Sequence, residues 1–141
     1  MKEKKILAGI IVLLAAGLLM GCSMLSEERI KLRDLDFTVL SEEKIPEELK
    51  GIIEEKKTAA PSEPFKLTYS DNDNLYICIG YGEQATGGYS IAVNELYLTD
   101  SAIYVNTSLL GPEPSEKSNP TPSYPNIVIK TEKLDVTVVF E

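Results

Sequence analysis

The chain has 141 residues, 14 of them basic and 22 acidic, with two cysteines and no histidine. Without histidine there is no Ser-His-Asp or Cys-His nucleophile and no imidazole-ligated metal. A net charge of −8 argues against nucleic acid or an anionic lipid surface as partner, because both need a basic patch.

Residues 1–21 read as a signal segment outside the fold. Lys2, Lys4 and Lys5 make a basic start, and the apolar run over 6–20 is shorter than the ~20 residues of a membrane span but suits a signal-peptide core. The run ends in Leu19-Met20-Gly21-Cys22, which resembles the lipobox of bacterial lipoproteins. That resemblance implies a diacylglycerol thioether on Cys22, cleavage before it, and a lipid anchor on the extracytoplasmic face of the cell membrane. Removing residues 1–21 takes away three lysines and one glutamate, so the remainder carries a net charge near −10. It is long enough for one domain with a modest core and too short for two. With Cys22 acylated, Cys78 has no disulfide partner; between Ile77 and Ile79 it reads as an inert small hydrophobe.

Residues 22–35 are charged and weakly periodic and read as a tether, with the domain proper over 36–141. A short first strand is expected at 36–40. Ile45, Leu49, Ile52 and Ile53 then fall on one face at helical spacing, which predicts an amphipathic helix. Pro46 suits its first position, and Glu47 and Glu48 at the start with Lys56 and Lys57 at the end match the helix dipole. Pro61 and Pro64 end it.

Beyond that point the pattern changes to strands. Residues 65–69 alternate, 70–74 turn the chain, and 75–79 are β-branched and aromatic. The glycine-rich stretch 80–90 follows and reads as a shaped hairpin loop. From Tyr89 to Thr99 the apolar residues occupy odd positions through Val93 and even ones at Leu96 and Leu98. Such a phase change predicts a bulge near Asn94 and Glu95. Asp100 and Ser101 form a tight turn into 102–109. Residues 111–125 hold five of the eight prolines and make a long, stiffened loop. Strands at 127–130 and 134–140 close the chain. The fold class expected is α+β, mostly β, with one amphipathic helix packed on a curled, mainly antiparallel sheet or sandwich of five or six strands.

Two sequence signals of chemistry fail on inspection. Gly80, Gly82 and Ala85 match the spacing of a dinucleotide fingerprint, but an alternating strand stands where that motif needs a helix N-terminus. Asp71-Asn72-Asp73-Asn74 opens like a calcium loop, yet Leu75, Tyr76 and Gly82 occupy the positions that should hold a ligand, the glycine and the final carboxylate. No carboxylate pair or Ser-Lys motif stands out, so no enzyme, cofactor or metal is expected. What remains is recognition by loops. Tyr81, Thr86, Gly87, Gly88 and Tyr89 in one loop and Tyr124 and Pro125 in the other are the candidate partner-binding residues, since tyrosine gives large contact area at low entropic cost. For Tyr89 the alternative of packing inward at the start of a strand is equally open.

The stretch Gly-Tyr-Gly-Glu…Thr-Gly-Gly-Tyr-Ser-Ile at 80–91, the proline loop, and Tyr124-Pro125 leading into Ile127-Val128-Ile129-Lys130 resemble the C-terminal domain of PrcB, a family of protease-complex-associated bacterial lipoproteins. The similarity runs from Leu75 to Phe140. It implies a non-enzymatic accessory protein that associates with and stabilises a secreted or surface protease, with no catalytic residues to carry over. Thr86-Gly87-Gly88-Tyr89 also resembles the Thr-Gly-Tyr loop of chagasin-type protease inhibitors. A protease inhibitor using that loop, or an envelope module for a small ligand or glycan, are therefore the alternatives to a protease-binding accessory protein.

Overall fold

The computed structural model describes residues 29–114 and 120–141. The segment expected to be a signal peptide, and Cys22, lie outside the described residues. The regular elements are β1 (Lys31–Asp34), β2 (Phe37–Val39), a 3-10 turn (Glu42–Lys44), α1 (Glu47–Ala59), β3 (Phe65–Ser70), β4 (Asn74–Gly80), β5 (Ser90–Thr99), β6 (Ala102–Leu110), β7 (Asn126–Glu132) and β8 (Thr137–Phe140). They form two four-stranded sheets, ordered β1-β5-β6-β8 and β2-β7-β4-β3. The fold is thus α+β and mostly β, as expected, and the sheets stack as a sandwich with the helix on one outer face.

The reason lies in β4. Every residue from Leu75 to Gly80 is buried, because both faces of the strand are covered. Leu75, Ile77 and Ile79 meet Leu96, Ile103 and Val105 of the opposite sheet, together with Ile127 and Ile129 of β7. The alternate residues Tyr76 and Cys78, with Val128 of β7, pack beneath Leu49 and Ile53 of α1. A continuous apolar run in the sequence is therefore a strand at the centre of three layers.

The helix starts one residue later than its proline suggests. Pro46 is the N-cap, with extended ψ of 141°, and the acidic first turn and basic last turn frame the element. Its apolar face is narrower than the periodicity implies: Leu49 and Ile53 are buried, whereas Ile52 is 37% exposed. In β5 the register against β6 shifts between Val93 and Glu95. This is the bulge the phase change predicts, and it keeps Ile91, Val93, Leu96 and Leu98 on one core.

Three expectations need correction. The stretch read as tether contains β1, which pairs antiparallel with β5, and Leu35, which is 4% exposed and belongs to the inter-sheet core. All four β1 side chains are exposed, so the strand rests on backbone pairing and a 2.6 Å ion pair from Arg33 to Glu132, and alternation in the sequence has nothing to mark. The described residues hold eight strands rather than five or six, and β8 is shorter than 134–140 and runs parallel to β6. Finally, 80–90 is not a hairpin loop. β4 and β5 sit in different sheets, so the glycine stretch carries the chain across the sandwich.

Candidate functional site: a crown of three interlocked loops

The pairings of Phe65 with Gly80, Gly80 with Asn126 and Ser90 with Leu110 bring three connections to one end of the sandwich. These are residues 60–64, 81–89 and 111–125. The glycine and proline loops are joined by a two-way backbone bridge: Gln84 N–H donates to Ser123 O at 2.8 Å and Ser123 N–H returns to Gln84 O at 3.0 Å. Tyr81 N–H donates to Pro125 O at 3.0 Å, and the Ser123 hydroxyl to Thr86 O at 2.6 Å. The link 60–64 is tied in through Glu83 N–H to Ser62 O at 3.2 Å.

Two glycines make this closeness possible. Gly82 has φ +77°, and a Cβ there would lie 2.5 Å from the Ser62 carbonyl oxygen. Gly88 has φ +87°, with its would-be Cβ 2.9 Å from Pro112. Both the left-handed backbone and the contact exclude a side chain. Gly87 differs, for nothing approaches its Cβ position within 4 Å and its φ is not positive.

The crown sorts the predicted residues into support and surface. Tyr81 faces inward: it packs against the inter-sheet core, and its hydroxyl lies 2.6 Å from that of Thr107. Tyr89 is half-buried, its ring 3.6 Å from the Cβ position of the exposed Gly111. Gly88 and Pro125 hold the loops together. Thr86 is half-buried and offers its carbonyl to Ser123. Gly87 lies open, and Tyr124 is 44% exposed.

Glu83 belongs with these two, and loop composition does not single it out. Its Oε1 accepts from the Tyr124 hydroxyl at 3.1 Å and its Oε2 from the Ser62 hydroxyl at 3.2 Å. An exposed carboxylate is thus held at both oxygens by side chains from the two neighbouring loops. The bond to Glu83 raises the Tyr124 ionisation above the ordinary tyrosine value. Among the described residues of the three connections there are carboxylates at Glu63, Glu83 and Glu113 and no lysine or arginine.

Elsewhere the chemistry is muted. The Cys78 thiol is buried and pushed up to about 12 by that burial, which leaves it unreactive. Asp71 is the cap of a tight turn, accepting from the N–H groups of Asp73 and Asn74. Among the described residues no three potential ligands gather for a metal, and no helix is long and apolar enough to cross a membrane.

Residues 75–132 match the family model described as PrcB C-terminal. Over that segment the chain is similar to the PrcB C-terminal family. The match begins with β4 and ends with β7, short of β8, where the likeness read from the sequence extends. It contains both crossover loops of the crown, while 60–64, with Ser62, lies outside the PrcB match. No curated protein and no solved structure matches the chain. The likeness to chagasin-type inhibitors loses its geometric basis, because Thr86-Gly87-Gly88-Tyr89 lies in an inter-sheet crossover rather than a hairpin.

Proposed function

We propose that this PrcB-like chain is a non-catalytic, lipid-anchored accessory protein of the bacterial cell envelope that binds a protein partner through the crown. The partner proposed is a secreted or surface protease or its complex, which the bound chain stabilises or helps assemble. One observation carries the reading: the segment that matches the PrcB family spans two loops that are clamped to each other by backbone hydrogen bonds. A surface ordered before binding loses less conformational entropy when a partner docks. The lipid on Cys22 supplies the anchor. β1 starts nine residues after Cys22, so the connecting chain reaches at most about 30 Å and keeps the domain close to the membrane.

Position 87 tests this directly. In pull-downs of the full-length protein from cell membranes, wild type is expected to recover an envelope protease, and Gly87→Trp to lose it without lowering the melting temperature. Recovery of the same proteins with wild type and Gly87→Trp would remove the crown as the binding surface. With the captured protease purified, longer protease lifetime at unchanged turnover supports the accessory role, whereas stoichiometric loss of turnover would replace it with inhibition.

A further inference from the structure

We infer that Glu83 and Tyr124 together receive an arginine side chain of the protein partner, an inference that rests on the crown being the partner surface. The carboxylate of Glu83 is fixed by one hydroxyl on each oxygen, Tyr124 on Oε1 and Ser62 on Oε2. A carboxylate has about four acceptor directions, so one direction on each oxygen stays open to solvent. A guanidinium presents two parallel N–H groups at a spacing that fits two carboxylate oxygens.

The Tyr124 ring adds the second contact. Its hydroxyl lies on Glu83 while 44% of the residue is exposed, so a flat aromatic surface adjoins the carboxylate. A planar cation bonded to Glu83 can lie against that ring, where π-electron density attracts it. A lysine ammonium is a point charge and gains neither the fork nor the stacking.

Charge complementarity points the same way. The described residues of the three crown segments contain no lysine or arginine, and Glu83 takes part in none of the ion pairs found among the described residues. Its two hydroxyl partners are neutral donors. They orient the carboxylate and, among the described residues, leave its charge uncompensated. Holding the side chain beforehand also reduces the rotamer entropy lost on binding.

The test is an NMR titration of the full-length chain in detergent micelles with three probes: N-acetyl-arginine amide, its lysine counterpart and its uncharged citrulline counterpart. The arginine probe is expected to shift the signals of Glu83, Tyr124 and Ser62 with saturation in the millimolar range, the lysine probe to bind about tenfold more weakly, and citrulline to leave them unmoved. Glu83→Gln should abolish the arginine response, and Tyr124→Phe should keep part of it by preserving the ring. The inference falls if arginine and lysine give the same diffuse shifts over the acidic surface, if citrulline matches arginine, or if Glu83→Gln responds like wild type. Should arginine fail while Gly87→Trp still abolishes protease capture, the crown remains the binding surface and the arginine receptor alone is wrong.

Discussion

At the scale of single residues, Asp71 shows how a motif shaped like a metal site is used up by turn geometry. Its Oδ1 accepts from Asn74 N–H at 2.7 Å and Asp73 N–H at 2.9 Å, and its Oδ2 from the Tyr76 hydroxyl at 3.0 Å. The bonds from the Asn74 and Asp73 backbones, in that order, lower the Asp71 carboxyl below its ordinary value. A depressed folded-state value means that the stabilisation is fully present above the unfolded aspartate value of about 3.9 and is lost as pH falls through the folded one. Asp71→Asn, which removes the charge, should melt a few degrees below wild type at pH 7. That gap should close as the pH is taken below about 4, and thermal melts across pH 2–7 check it. A gap of constant size would mean that the charge of Asp71 contributes nothing.

At the scale of elements, α1 separates what propensity and packing each contribute. Leu49 is fully buried against the sheet, and Leu49→Ala should cost about 2–5 kcal/mol, the range for removing a core leucine. Gly51 is exposed on the same helix and nothing lies within 4 Å of its Cβ position. Gly51→Ala should therefore stabilise the protein by about 0.5–1 kcal/mol, since alanine loses less backbone entropy in a helix. Denaturant titration resolves both changes, and destabilisation by Gly51→Ala would contradict the open face. The bulge in β5 was readable because a shift of one residue flips every later side chain to the other face. β1 was not. A strand whose side chains are all exposed carries no alternation, and only its partner β5 makes it a strand.

At the scale of the whole molecule, the crown exists because sheet membership brings distant loops together. If the bridge between Gln84 and Ser123 clamps them, the amides of Tyr81, Gln84 and Ser123 should exchange with solvent only through large-scale opening, and that of Gly87 much faster. Hydrogen exchange followed residue by residue measures this. Equal, rapid exchange at all four would mean that the loops are not locked. The same clamp explains why substitutions one residue apart should differ. Gly88→Ala strains a left-handed backbone against Pro112, while Gly87→Trp enters open space.

The sequence by itself determined the helix, most strands, the bulge, the tight turns and the strand, rather than a helix, that follows the glycines. Each is written in local periodicity or in the chemistry of a few adjacent residues. Only the tertiary structure decided that 80–90 crosses between sheets, that Tyr81 points inward, and that Glu83 stands between Ser62 and Tyr124. Ser62 is 21 residues from Glu83 and Tyr124 is 41. Periodicity tells which face of a strand is buried, but not which sheet the strand joins, and loop contacts follow from that choice.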